Sequence, residues 1–147
     1  MLSKISFQEI LPIWKEHLWN IENKKIEPNS AMKFLGGYTL ANMTTQNVFL
    51  AYKKDDKIMG VNSGHQCDDG SFRSRGLFVF PEYRKLGIGR LLLQETVNEA
   101  IKLNAAFVWS YPRKSSWNAY KSVGFELASD WEECETSEAN AYCKKII

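Results

Sequence analysis

The stretch from Leu77 to Ile101 constrains the fold more than any other part of the chain. It opens Leu77-Phe78-Val79-Phe80-Pro81-Glu82-Tyr83-Arg84-Lys85-Leu86-Gly87-Ile88-Gly89-Arg90. A short apolar run stops at Pro81, a basic loop with two glycines follows, and a helical pattern begins near Ile88. This reads as strand, loop, helix. The first N–H groups of such a helix lack intrahelical partners and its macrodipole is positive there, so the position suits a phosphate. Gly87 and Gly89 let the backbone approach an anion closely, since neither carries a Cβ. Arg84, Lys85 and Arg90 add cationic charge around the same loop.

Two phosphate loops are excluded by residue type. A P-loop needs Lys followed by Ser or Thr after its second glycine, and Arg90-Leu91 stands there. A dinucleotide fingerprint needs a third glycine or alanine, and Leu92 occupies that position. The pattern that remains is Arg84-x-x-Gly87-x-Gly89. Its bland alternative is a surface turn whose glycines start a helix.

The 147 residues suffice for one domain with a proper core, spanning 1–147, and are too few for two ordinary ones. A formal charge of +2 with no long basic run gives no electrostatic case for nucleic acid. Cys67, Cys134 and Cys143 show no metal-ligand spacing, and an odd number argues against a full disulfide framework. Reduced thiols in a cytoplasmic protein without a metal are expected. No apolar run approaches the ~18 residues of a membrane span, and no signal-peptide core opens the chain.

The N-terminal third reads as mostly helical. Ser6 and Glu9 form a capping box, and Ile10, Ile13, Trp14 and Leu18 recur at helical spacing around Pro12. A second helix is expected from Asn29 or Ser30 to Gly36-Gly37. From Asn47 the period changes to that of a hairpin turning at Asp55-Asp56, and Asp68-Asp69-Gly70 leads into a third strand ending at Phe80. The helix after the loop carries Leu93, Val97, Ala100 and Ile101 on one stripe, widened by Leu91 and Leu92. The apolar run Ala105–Tyr111 then makes the connection a crossover between parallel strands. The segment after Glu126 is expected to supply the last two strands, the closing one near residues 139–146.

Between them, Ser115 or Ser116 can cap a short helix that ends Tyr120-x-x-x-Gly124-Phe125. This pattern and Arg84-x-x-Gly87-x-Gly89, about 30 residues apart in that order, resemble the two signatures of the GNAT-type N-acetyltransferases. The resemblance covers about Asn47 to Phe125. It implies an α/β (α+β) fold, a mixed, mostly antiparallel sheet flanked by helices on both faces. It implies acetyl-CoA as acyl donor, with backbone groups around Phe78 and Val79 holding the pantetheine arm. Arg84, Lys85, Leu86, Gly87, Ile88, Gly89 and Arg90 would hold the pyrophosphate. Tyr120 would stand near the sulfur as acid, and Arg113 and Lys114 either approach the coenzyme or are solvated.

One departure concerns the base. The family's strand before the loop often carries a glutamate about two residues ahead of its Leu-x-Val, and here Ser74-Arg75-Gly76 offers no carboxylate. His65 is the side-chain candidate, because its reference pKa near ~6.5 suits proton abstraction. Strand alternation sets it on the face of Met59 and Val61, unless a bulge at Gly60 or Gly64 turns it. A water relayed by backbone carbonyls is the alternative. Asp130, Glu132, Glu133, Glu135 and Glu138 favour a cationic amine acceptor, or else form a solvated loop. The partners expected are thus a coenzyme A thioester and an amine, without nucleic acid or membrane, in a chain compatible with a homodimer. Three functions compete: an N-acetyltransferase acting on a small-molecule or protein amine, a non-catalytic acyl-CoA-binding module, and a nucleotide switch. The last lacks both phosphate fingerprints.

Overall fold

A computed structural model describes residues 1–135 and 137–147. The chain begins as a strand, not a helix: β1 (Leu2–Ile5) pairs antiparallel with β2 (Asn47–Lys54). Ser6 then starts α1 (Phe7–His17) through the expected capping box. Its hydroxyl accepts from the Glu9 N–H at 3.2 Å, and the Glu9 carboxylate accepts from the Ser6 N–H at 3.1 Å. α1 runs through Pro12 from its first turn. The backbone bond lost to proline is outweighed by the fully buried Ile10 and Trp14.

No helix forms over residues 30–37. Leu35, Gly36 and Gly37 take positive φ (65°, 118° and 88°), which an α-helix does not admit. Met32 and Phe34 instead reach Trp109 and Tyr142 at a spacing of two. The buried Asn29 amide scaffolds this loop. It donates to the carbonyls of Asn42 and Thr45 at 2.9 and 3.0 Å and accepts from Asn47 at 2.7 Å. Those side-chain bonds give the backbone an alternative to helix.

The hairpin of β2 and β3 (Lys57–Gln66) turns at Asp55-Asp56, both at positive φ (52° and 62°), as a type I′ turn requires. β4 (Phe72–Val79), α2 (Ile88–Lys102) and β5 (Phe107–Ser110) form the crossover, and α3 (Trp117–Ser122) follows. β6 (Glu126–Leu127) and β9 (Cys143–Ile146) complete a seven-stranded sheet ordered β1-β2-β3-β4-β5-β9-β6. Among the described residues every pairing in it is antiparallel except β4 with β5. The last expected strand is split, because β8 (Ser137–Asn140) pairs with β7 (Glu132–Cys134) in a separate hairpin.

Helices cover both sheet faces. α1 packs on Phe49, Ala51, Val61 and Phe78, while α2 and α3 bury Phe72, Leu93, Val97, Val108 and Tyr120 on the other. Leu91 and Ile101, placed on the buried stripe by periodicity, are 44% and 54% exposed, and Thr96 and Glu99 take buried places. No helix among the described residues is long and apolar enough to cross a membrane.

Two bulges set which residues share a face. Tyr52 pairs with Gly60 and Lys53 with Ile58, so Met59 is an extra residue. It packs with Ile88 and Leu92 under α2, whereas Val61 packs with Trp14 under α1. The expectation that Met59 shares a face with Val61 and His65 therefore fails at this bulge. Ser63 pairs with Arg75 and Val61 with Phe78, so β4 also carries an extra residue, at Gly76. Gly76 has φ 80°, and its carbonyl accepts from the Trp14 indole N–H at 2.9 Å.

A Cβ at Gly76 would lie 2.3 Å from Trp14 Nε1. Gly76→Ala is expected to cost roughly 2–5 kcal/mol, the sum of left-handed strain and overpacking. Chemical denaturation checks this, and a loss below about 1 kcal/mol would show that the bulge relaxes freely.

Candidate functional site

β4 and β5 pair only at Phe72 with Val108 and Arg73 with Trp109. At the next position the Ser110 hydroxyl donates to the Ser74 carbonyl at 2.7 Å, and no further rung follows. Beyond this vertex lies a cavity of about 1020 Å³, lined by Gly76, Leu77, Ser110 and Tyr120 and, from the N-terminal segment, by Leu18, Trp19, Ile26 and Met32. The Phe80 N–H bonds to the Met59 carbonyl. Alternation therefore turns the backbone groups of Phe78 toward β3 and those of Leu77 and Val79 toward the gap. Arg84 Nε donates to the Val79 carbonyl on that side at 2.9 Å. Of the two strand residues expected to meet the pantetheine arm, Val79 faces the gap. Phe78 spends its backbone within the sheet and stacks its ring on His17 at 4.5 Å. Leu77 is the gap-facing residue that the sequence reading missed.

The loop from Arg84 to Arg90 precedes α2, with Lys85 at φ 65° and Gly87 at φ 82°. Alternating left-handed residues turn successive N–H groups toward one concavity. Among the described residues the N–H groups of Lys85, Leu86, Gly87, Ile88, Gly89 and Arg90 make no hydrogen bond. The first helical bond runs from the Leu91 N–H to the Gly87 carbonyl. Gly87 needs its left-handed backbone, but Gly89 does not. A Cβ at Gly89 would make ordinary contact, 3.5 Å from Ala119. Packing does not explain a glycine there, whereas access of an anion to the amides does. Arg84, Lys85 and Arg90 are exposed and form no ion pair among the described residues. The loop fits the diphosphate of a coenzyme.

Tyr120 is buried at the cavity wall, with its hydroxyl 2.9 Å from Ser74 Oγ and 3.0 Å from Ser110 Oγ. Burial first, then the Cys143 thiol, push its phenol up to about 12, while the serine bonds oppose them. Behind it the buried Asn62 amide donates to Ser74 Oγ at 2.9 Å and to Thr96 Oγ1 at 2.8 Å. Thr96 in turn donates to the Leu92 carbonyl. The phenol thus stays protonated and is held by a chain of side-chain bonds from the sheet to α2.

His65 is not brought to this cavity. It is 1% exposed, and both ring nitrogens meet backbone: Nδ1 lies 2.9 Å from the Gln66 carbonyl, and Nε2 accepts from the Ser30 N–H at 3.3 Å. Those partners require the proton on Nδ1. Burial lowers its pKa to about 4, and Arg73 and Arg75 press in the same direction. No lone pair is left for an amine proton. The acidic cluster lies on the exposed β7–β8 hairpin and the segment before it. Of its five carboxylates only Glu138 lines the cavity, where it accepts from the N–H and hydroxyl of Ser115, each at 2.9 Å. The cationic lining residues are Lys24, Lys25, Arg73, Arg75 and Arg113. Arg113 donates to the Leu18 carbonyl at 2.6 Å, and Lys114 lies over Trp131.

A strand that parts from its parallel neighbour, followed by an amide-rich loop and helix, sets an open sheet edge beside a site suited to an anion. Residues 45–127 match the family described as Acetyltransferase (GNAT) domain, and the chain belongs to that family. The fold is similar to Escherichia coli ElaA, at 14% identity and TM-score 0.74, over 99% of this chain and 98% of that one. It is also similar to an aminoglycoside 6′-N-acetyltransferase complexed with coenzyme A, at 11% identity and TM-score 0.70, over 99% and 96%. A third likeness is to the ribosomal-protein-S18-alanine N-acetyltransferase from Escherichia coli, at 16% identity and TM-score 0.66, over 100% and 93%. No curated protein matches the sequence significantly.

The buried neutral His65 makes stability depend on pH. Unfolded, it binds a proton near ~6.5, and folded only near about 4. Between those values the unfolded state holds more protons, so stability falls as pH falls. The loss through this window should be up to about 3 kcal/mol, and His65→Gln should flatten it. Urea titrations between pH 7 and 4 check this, and equal slopes for both proteins would remove His65 as the cause.

Proposed function

We propose that the protein is an N-acetyltransferase that moves the acetyl group of acetyl-CoA to a primary amine of a small molecule or a protein. The observation that carries this reading is the pairing of the parted strands with the unpartnered amides of the Lys85–Arg90 loop. The loop amides, Arg84, Lys85 and Arg90 would hold the diphosphate. The backbone of Leu77 and Val79 would pair with the extended arm as an added strand does. Bound acetyl-CoA supplies a thioester; its C–S bond breaks as the amine nitrogen forms an amide, and the ammonium proton leaves to solvent. An N–H on the open edge of β4 would donate to the carbonyl oxygen as charge develops there.

Tyr120 is suited to donate a hydrogen bond to the departing sulfur. A phenol at about 12 keeps its proton at working pH. Full transfer to a thiolate whose acid titrates near ~8.5 is uphill, so donation of a hydrogen bond is its main contribution. No histidine lines the cavity among the described residues, and its one carboxylate is occupied by Ser115. The amine therefore arrives neutral, its ammonium form disfavoured by the cationic lining. The non-catalytic alternative, an acyl-CoA-binding module, lacks a reason for a phenol fixed by two serines at the wall of the cavity.

Gly89→Asp tests the coenzyme site. A Cβ makes only ordinary contact there and an acid suits a helix N-terminus, so the fold should persist while a carboxylate meets the diphosphate. Calorimetry should show acetyl-CoA affinity falling at least about tenfold, and unchanged affinity would remove the assignment of the loop. Tyr120→Phe should lower kcat by roughly 10²–10³-fold with little change in acetyl-CoA affinity. A loss within about threefold in steady-state assays would make the phenol a packing residue.

A further inference from the structure

On β4 the side chains of Arg73 and Arg75 point to the face opposite Ser74 and Tyr120, and both reach the cavity wall. Arg75 is satisfied within the chain. It donates to the carbonyls of Glu27 and Pro28 at 2.8 and 3.2 Å and lies against both Trp14 and Trp19, at 5.0 and 4.9 Å. Arg73 is not. It is 8% exposed, its Nε is buried without a partner, and its side chain forms no hydrogen bond or ion pair among the described residues. Its guanidinium lies over the Trp109 ring, 4.9 Å away.

A guanidinium does not readily shed its charge, and burying one without an anion costs several kcal/mol. Cation–π attraction to Trp109 repays only part of that cost, because it supplies no acceptor for the guanidinium N–H groups. The lone carboxylate on the wall, Glu138, is held by Ser115. The cavity thus combines a net positive lining with one donor that has no acceptor.

We infer that the acceptor carries a carboxylate beside its amine, as an amino acid does, and that Arg73 binds this carboxylate with Arg75 and the nearby lysines adding to the field. This rests on the acetyltransferase reading and names the substrate class of the same cavity. It replaces the cationic acceptor that the acidic cluster suggested, because of those five carboxylates only Glu138 lines the cavity. Arg73 acts here as a binding residue, and its unpaired state in the free protein is the cost that the substrate offsets.

The experiment compares matched acceptors: each of the common amino acids against its α-amide, with polyamines as a third arm, by thiol release from acetyl-CoA. A parallel measurement needs no turnover. Binding of N-acetyl amino acids and of their amides is followed by calorimetry with coenzyme A present. The free acids should exceed their amides by at least about 30-fold in kcat/KM, the lower end for a buried charge pair. Arg73→Met should erase that ratio while acetyl-CoA affinity and Tm stay equal or rise, since removing an unpaired buried charge relieves the fold. If Arg73→Met fails to fold, the wild-type ratio of acid to amide decides alone. Transfer to amides or polyamines as fast as to acids would overturn the inference and leave the transferase reading standing. N-acetyl amino acids binding in an Arg73-dependent way without any transfer would sustain the anion site and sink the transferase. Neither transfer nor binding would remove both.

Discussion

The structure depends on β4 keeping one neighbour while releasing the other. Along β3 it stays paired to Val79, but β5 leaves after Arg73. Continuous sheet on one side and an open edge on the other require the strand to bend, and the bulge at Gly76 supplies the bend. The Trp14 indole fixes it by taking the Gly76 carbonyl. The extra residue also reverses the phase of everything that follows. Without it Leu77 and Val79 would share the face of Arg73 and Arg75. With it they pack under α2 and Phe78 closes against α1. The open edge therefore begins where the strand is most firmly held from the side.

The other half of the vertex is polar. Thr96, Asn62, Ser74, Ser110 and Tyr120 are all buried between the sheet and the helices, where an apolar layer would be expected. A buried polar chain is tolerated only when its members satisfy one another, and then it fixes a single geometry. Here the Asn62 amide donates to Ser74 Oγ, the Ser110 hydroxyl is shared between the Ser74 carbonyl and the Tyr120 oxygen, and the bond between Ser74 and Tyr120 can run in either direction, so the phenolic proton is not committed. The exception is Asn62 Oδ1, which is buried without a partner. This closed ring places the phenol and replaces the backbone rung that β5 gives up.

Much of this was legible. Capping box, hairpin turn, crossover and glycine loop each leave a local mark, because each is decided by residues within one turn or one strand. Less local features were not. β1 is four residues of ordinary composition made a strand by β2, and the helix expected over 30–37 was displaced by the Asn29 amide, whose partners lie 13 to 18 residues away. His65 read as a base because its backbone contacts were invisible: Ser30 reaches it from a loop 35 residues earlier. The bulge at Gly76 had a glycine to mark it, yet the sequence reading looked for bulges only in β3. Arg73 drew no notice at all, since alternation alone cannot tell a surface arginine from one enclosed beneath a distant loop.

The lack of a base and the unpaired arginine then have one physical origin. A carboxylate on the Arg73 face of β4 would pair with the guanidinium and cancel the positive field of the cavity. With no acid there, that field acts on whatever amine enters. A single cation about 6 Å from an ammonium, at an effective dielectric near 20, opposes it by about 3 kcal/mol, or two pH units. A substrate carboxylate seated on Arg73 would cancel that one charge and leave the other lining cations, among them Arg75, already fixed against two indoles. On the proposed reading, deprotonation would be driven by a charge that the fold holds in place for its own reasons, and no side chain would have to carry the proton away.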